Sequence, residues 1–210
     1  MLTLFYSPGT ASLVVHWLLI ELDVVHELRL VDIEKQEQKS PEYLKINPNG
    51  VVPTLLVDGE PVYESAALVL YLADTYPVRE LAPSPGTVQR AHYYQWLVHL
   101  ANTMQPLFRN WFYAGEVAGE ANVDAARESA RQRIEAGWDR IDAHLGASGP
   151  WLLGEHVCAA DFHLTMLMRW SRNMPKPATE WPNLGAMAAR MKSRPSFKLL
   201  YEREKLTEWA

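Results

Sequence analysis

Four hydroxyls crowd into seven residues near the start of this chain, Tyr6-Ser7-Pro8-Gly9-Thr10-Ala11-Ser12. Hydroxyls beside the unpaired N–H groups of a helix start can donate hydrogen bonds to a bound anion, and a thiolate is one such anion. The chain does not supply that thiol as a redox pair. Cys158 is the only cysteine in 210 residues, so a CxxC dithiol, an internal disulfide and a cysteine-based zinc cluster are all excluded. Thiol chemistry at the hydroxyl run must therefore borrow its sulfur. The same residues also suit an ordinary turn, with Ser7 and Thr10 capping a helix and Pro8-Gly9 reversing the chain.

Two further segments offer binding groups. In Gly50-Val51-Val52-Pro53-Thr54-Leu55 a proline stands at the entrance of a short strand, which makes Val52-Pro53 a candidate cis peptide. Turned outward, the Val52 N–H and C=O would take an extended peptide as an added strand. A trans proline opening a strand has the same sequence. In Tyr63-Glu64-Ser65-Ala66 a hydroxyl with the first N–H groups of a helix would hold a carboxylate, and the Glu64 carboxylate an ammonium. Glu64 and Ser65 are equally good helix-start residues. His156, Cys158, Asp161 and His163 present three ligand types within eight residues, but Asp161 is explained by a helix start, so no metal is expected.

The elements that must position these groups follow from periodicity. Short β-like runs at 2–6 and 25–31 flank a helical stretch at 11–22. After the turn cluster Asn47-Pro48-Asn49-Gly50 come 54–57, the turn Asp58-Gly59 and 61–63, a hairpin, then a helix over 64–76. A βαβ unit followed by ββα predicts an α/β thioredoxin-like domain (βαβββα) over 1–77, with its active edge where the first strand meets the first helix. Proline and glycine in PVRELAPSPG place a linker at 78–86. From 87 to 210 the spacing is helical: Tyr93, Trp96, Leu97, Leu100, Met104 and Leu107, then Ile134, Trp138, Ile141 and Leu145. Residues 158–170 are apolar nearly all round, as in a central buried helix, and 182–191 and 195–206 add two more, giving an all-α helical bundle domain.

Twenty basic against twenty-five acidic side chains leave a net charge of −5, so no nucleic-acid partner is expected. The apolar stretch at 13–20 is interrupted by His16 and too short to span a bilayer, which predicts a cytoplasmic, unprocessed chain.

Together the three segments would hold a small peptide with an α-amino-acid end, an extended middle and a thiol, a description of glutathione. With SPGTAS at the first turn, then NPNGVVPTL, then YESAALVLYLA and an all-helical half, the sequence resembles the cytosolic, bacterial-type glutathione transferases over essentially its whole length. The resemblance implies that Val52 binds the cysteinyl backbone, that Pro53 is cis, that Glu64 and Ser65 grip the γ-glutamyl end, and that Lys35 or Lys39 reaches the glycyl carboxylate. Both lysines also suit a solvated surface. The cysteine of the YxPGACS-type class falls at Ala11, so that mechanism is absent. Serine classes map onto Thr10 or Ser12, and tyrosine classes onto Tyr6 or Ser7. Thr10 and Ser12 are preferred here, because Tyr6 ends an alternating strand and fits a core position.

The family's S/T-x-x-D helix start reads Cys158-Ala159-Ala160-Asp161 here, which bears on folding rather than chemistry. Around Pro106, Met104, Phe108, Arg109, Trp111 and Tyr113 fall where the family forms part of the pocket for an apolar electrophile, although the aromatics fit bundle core as well. Arg109 among aromatics requires solvent or an anionic partner. The implied protein is a homodimeric detoxification enzyme that takes glutathione as co-substrate and a small hydrophobic electrophile as partner, without a metal. The alternatives are a glutathione-dependent isomerase or dehalogenase, and a non-catalytic binding module.

Overall fold

Leu2, Thr3, Leu4 and Phe5 are all buried, so β1 (Leu2–Tyr6) is covered on both faces, as a central strand must be. It pairs in parallel with β2 (His26–Leu30) and antiparallel with β3 (Thr54–Val57). β3 turns through Asp58 and Gly59, both at positive φ, into its antiparallel partner β4 (Glu60–Tyr63). The order is β2-β1-β3-β4, a mixed four-stranded thioredoxin-like sheet. The computed structural model describes residues 1–209, which separate into two units: Met1–Ala82 with the residues from 192 onward, and Pro83–Met191.

In the first unit α1 (Ser12–Glu21) links β1 to β2 and buries every residue from 12 to 19. It packs against α3 (Ser65–Thr75) and α10 (Pro195–Glu204). A smaller cluster of Phe5, Val31 and Tyr43, joined by Ile46, Val52 and Leu56, anchors the loop ahead of β3. The polar stretch between β2 and that loop contains a 3-10 turn at Glu37–Lys39 and a short α-helix, α2 (Pro41–Leu44), whose Tyr43 N–H donates to Ser40 Oγ at 3.2 Å.

The second unit is helical. α4 (Val88–His99) starts on Thr87, whose hydroxyl accepts the Arg90 N–H at 3.1 Å, and passes through a π-helical turn at Leu100–Met104 into α5 (Gln105–Phe112). Pro106 lacks an N–H and its ring would crowd the carbonyl four residues earlier, and the wide turn accommodates it. α6 (Ala114–Ala118) and α7 (Val123–Ser148) follow. α8 (Ala159–Trp170) is buried from 159 to 169, its start held by Asp161, which accepts the N–H groups of Cys158 at 2.7 Å and Leu152 at 3.0 Å. Asp142 of α7 accepts the N–H groups of Asn183 and Leu184 at the start of α9 (Pro182–Lys192).

The sequence places everything from 87 onward in the helical domain. In the structure α10 packs with the sheet unit. Phe197 sits against Trp17 at 5.2 Å between ring centroids, Trp17 Nε1 donates to Ser196 Oγ at 2.9 Å, and Arg194 pairs with Glu21 of α1. This amphipathic helix has the same spacing whichever core it joins, so periodicity does not reveal its destination.

Candidate active site

Strand register brings the candidate residues of the first unit to one end of the sheet. Phe5 of β1 lies opposite Thr54 of β3, and Thr54 opposite Tyr63 of β4. Tyr6 and Ser7, Val52 and Pro53, and Glu64 and Ser65 therefore continue from three adjacent strand ends.

The hydroxyl loop is tightly self-bonded. Thr10 Oγ1 donates to Ser7 O at 2.7 Å, Ser12 Oγ donates to the same carbonyl at 3.0 Å, and the two hydroxyl oxygens lie 2.9 Å apart. Ser12 Oγ also accepts the Ser7 N–H at 3.2 Å, and Thr10 Oγ1 the Ser12 N–H at 3.3 Å. Each hydroxyl has a single hydrogen, and both hydrogens are used inside the loop, on Ser7 O or between the two oxygens. Ser12 is fully buried as well. Among the described residues, two loop donors have no hydrogen-bond partner: the Ser7 hydroxyl and the Ala11 N–H at the start of α1. Gly9 adopts φ +69, a conformation that favours glycine.

The loop is also gripped from the far end of the chain. Glu204 of α10 accepts the Gly9 N–H at 2.8 Å with one oxygen and contacts His16 Nδ1 at 2.8 Å with the other, and both side chains are fully buried. The Tyr6 ring lies 5.6 Å from His16, and burial, with the Glu204 charge behind it, pushes the Tyr6 hydroxyl above its ordinary range. Tyr6 therefore stays protonated near neutrality and keeps its hydroxyl hydrogen to donate. Sequence patterning alone does not single out Glu204. The signal that points to it is an acid at a core position, in helical step with Phe197, Leu200 and Tyr201.

At the second strand end the Val52–Pro53 peptide is cis. Val51 O accepts from Tyr43 Oη at 2.8 Å and Asn47 Nδ2 at 2.9 Å, and both of those side chains reach Thr54 Oγ1, so the loop is pinned from below. Among the described residues, the Val52 N–H and C=O take no hydrogen bond. Gly50, at φ +60, has no room for a side chain, since a Cβ would stand 2.9 Å from Gln38 O. Lys39 lies along this loop, Nζ 3.4 Å from Asn49 O, whereas Lys35 pairs with Asp32 at 2.8 Å in the preceding turn. At the third strand end Glu64 is exposed at φ +76, a backbone state costing about 1–3 kcal/mol for a non-glycine residue, and the buried Ser65 begins α3.

The candidate pocket residues of the second unit divide by burial. Met104 and Phe108 are fully buried, Phe108 between Trp138 and Trp170. Tyr113 is exposed, with Arg109 stacked 3.9 Å above its ring, and Arg109 is itself exposed and paired with Glu116. Solvent and an acid both satisfy that guanidinium. Trp111 is half-buried under Arg127. Of the suggested ligand set, His163 bonds Gln105 at 2.8 Å and Asp161 caps α8, and no metal-ligating group of three appears among the described residues.

A thioredoxin-like sheet and an all-helical unit on one chain, with three strand ends converging on a cysteine-free loop, define a two-domain thioredoxin-fold class. Within that class the chain belongs to the glutathione S-transferase family: the family's N-terminal domain pattern matches residues 10–75 and its C-terminal domain pattern residues 101–203. Glutathione S-transferase GST-4.5 of Xanthomonas campestris pv. campestris is 33% identical over 190 residues, 89% of each chain. Maleylacetoacetate isomerase of Dictyostelium discoideum is 29% identical over 178 residues, 83% of this chain and 80% of its own. A solved glutathione transferase homolog from Sulfitobacter with bound glutathione superposes with a TM-score of 0.90 at 27% identity, over 98% of this chain and 99% of that one.

Proposed function

We propose that this protein binds glutathione at the sheet end and activates its thiol for attack on a small apolar electrophile. The observation that carries the reading is the set of unpartnered backbone groups at the converging strand ends: Val52 offers a donor and an acceptor to an extended peptide, and Ala11 an N–H at a helix start. The cysteinyl unit of glutathione fits the Val52 edge, its γ-glutamyl end the Glu64 carboxylate and the Ser65 helix start, and its glycyl carboxylate Lys39 rather than Lys35.

In this reading the sulfur lies against the Ala11 N–H and the Ser7 hydroxyl, while Thr10 and Ser12 shape the loop. These donors, with the α1 dipole behind them, favour the thiolate. Lowering the thiol pKa by about two units takes about 2.7 kcal/mol of preferential stabilisation, within reach of one charge-assisted hydrogen bond and a helix start. No general base is required. The electrophile is expected against the exposed part of the aromatic segment, Arg109 to Tyr113, and the protein is expected to act as a cytoplasmic homodimer.

Likeness to an isomerase supports a second reading, in which the thiol adds to the substrate and is released again. Incubation with glutathione and a panel of electrophiles separates the two: stoichiometric loss of glutathione marks a transferase, and turnover at constant glutathione an isomerase. If millimolar glutathione fails to raise the melting temperature, both readings fail.

A further inference from the structure

Two arginines of the helical unit differ in how many of their donor nitrogens are occupied. Arg131 places Nε and Nη2 on Glu128 and Nη1 on Glu135, so carboxylates fill its whole fork. Arg109 of α5 uses Nη2 alone, on Glu116 of α6. Its Nε and Nη1 have no acceptor among the described residues, and its side chain is 55% exposed, so the open donors face water. The guanidinium is nonetheless held in place. Tyr113 N–H donates to Arg109 O at 3.0 Å, which sets Tyr113 one turn beyond Arg109, and the guanidinium carbon lies 3.9 Å from the Tyr113 ring centroid. Glu116 N–H donates to Tyr113 O at 3.1 Å, which brings its carboxylate back toward the same fork. Phe112 and Val117, on the same turns of chain, are exposed large apolar side chains.

We propose that Arg109 is a specificity-determining residue, selecting electrophiles that carry a carboxylate on an apolar body. This rests on the glutathione reading, which expects the electrophile against this segment, and it adds the chemical class of that electrophile. Nη2 carries two hydrogens and Glu116 takes one, so one two-donor edge of the guanidinium stays open to a second planar carboxylate. An exposed ion pair of this kind shifts an equilibrium by at most about fivefold, so Glu116 neither fills the fork nor locks it. Its negative charge does oppose a second carboxylate. Stacking on Tyr113 orders the fork in advance, which reduces the entropy lost when an anion docks. The same stack leaves apolar surface at Phe112 and Val117 for the body of the electrophile.

The test uses conjugates that carry the two chemistries on one body. The full-length protein is titrated calorimetrically with glutathione, with S-(4-carboxybenzyl)glutathione and its 3-carboxybenzyl isomer, and with the matching carboxamides, at low ionic strength and in about 0.5 M NaCl. At least one carboxylate is expected to bind about five- to tenfold more tightly than its carboxamide at low salt, with the ratio shrinking in high salt. Arg109→Gln should bring the ratio to about one, and Arg109→Lys should keep part of it, because the charge remains but the fork does not. Glu116→Gln should raise the ratio by about two- to threefold, since the opposing charge is gone. Opposite effects at Arg109 and Glu116 mark anion recognition, whereas a purely structural pair loses the same function from either side. The proposal is overturned if neither carboxylate is preferred by the parent, if Arg109→Gln keeps the preference, or if Glu116→Gln lowers it as Arg109→Gln does. Glutathione binding without a carboxylate preference overturns this proposal alone, and absent binding of glutathione and every conjugate overturns the glutathione reading with it.

Discussion

The sheet end of the first unit and the aromatic segment of the second present different kinds of group. At the sheet end the unpartnered donors and acceptors are largely backbone: the Ala11 N–H and the Val52 N–H and C=O, held in place by buried side chains such as Tyr43, Asn47 and Glu204. In the aromatic segment the exposed groups are side chains, Arg109, Phe112 and Tyr113, standing on a core of Met104 and Phe108. Backbone groups survive most substitutions, so the first arrangement suits a partner that never changes. Exposed side chains are replaced at little structural cost, so the second suits a partner that does.

The contrast can be broken most forcefully at Glu204. Glu204→Ala leaves the Gly9 N–H and buried His16 without their acceptor and should cost about 3–5 kcal/mol in denaturant unfolding. Glu204→Gln, which retains an acceptor for Gly9, should cost less. Equal stability of all three proteins would mean that the loop holds itself. In the other region Phe108→Ala should also cost about 3–5 kcal/mol, because the ring is core, and a loss below about 1 kcal/mol would instead make it a replaceable lining residue.

The core beneath the aromatic segment should also respond to acid. His163 is completely buried, and desolvation pushes its imidazole down to about 4 from an ordinary 6.5. Between those values the unfolded chain binds the extra proton, so stability from this group is complete above about pH 6.5 and is lost as pH falls through about 4. The loss approaches about 3 kcal/mol. A His163→Gln variant should lose that part of the slope in unfolding measured across pH. Smallest of all, Arg109→Ala should change stability by less than about 1 kcal/mol, since both members of its ion pair are exposed. If it alters selectivity among electrophiles while leaving glutathione affinity unchanged, the division between the two regions holds.

Local physics made much of this molecule legible in advance. The alternation at 2–6 and 25–31, the Asp58-Gly59 turn and the near all-round apolarity of 158–170 each reflect neighbouring residues, and each appears in the structure within a residue of those bounds. The sheet-end cluster was legible as three segments because each carries its own turn or helix-start chemistry. Contacts across the chain were not. Gly9 and Glu204 meet over 195 positions, and α10 returns to the sheet unit through Phe197 and Ser196. Nor does residue type separate Phe108, wholly buried, from Tyr113, exposed, only five positions on. The preference for Thr10 and Ser12 as thiol donors rested on the same limit: their hydrogens are seen to be engaged only once the loop is folded and each bond can be counted.

Thiol activation at the sheet end, as proposed, runs through the Ala11 N–H and the Ser7 hydroxyl. The most direct measurement is the pKa of glutathione bound to the full-length protein, by ultraviolet thiolate titration, in the parent, Ser7→Ala and Ser12→Ala. The expected result is a parent value about two units below that of free glutathione, about one unit of which is lost in Ser7→Ala and little in Ser12→Ala, whose effect is on stability. Bound glutathione with an unshifted thiol pKa in the parent would contradict it.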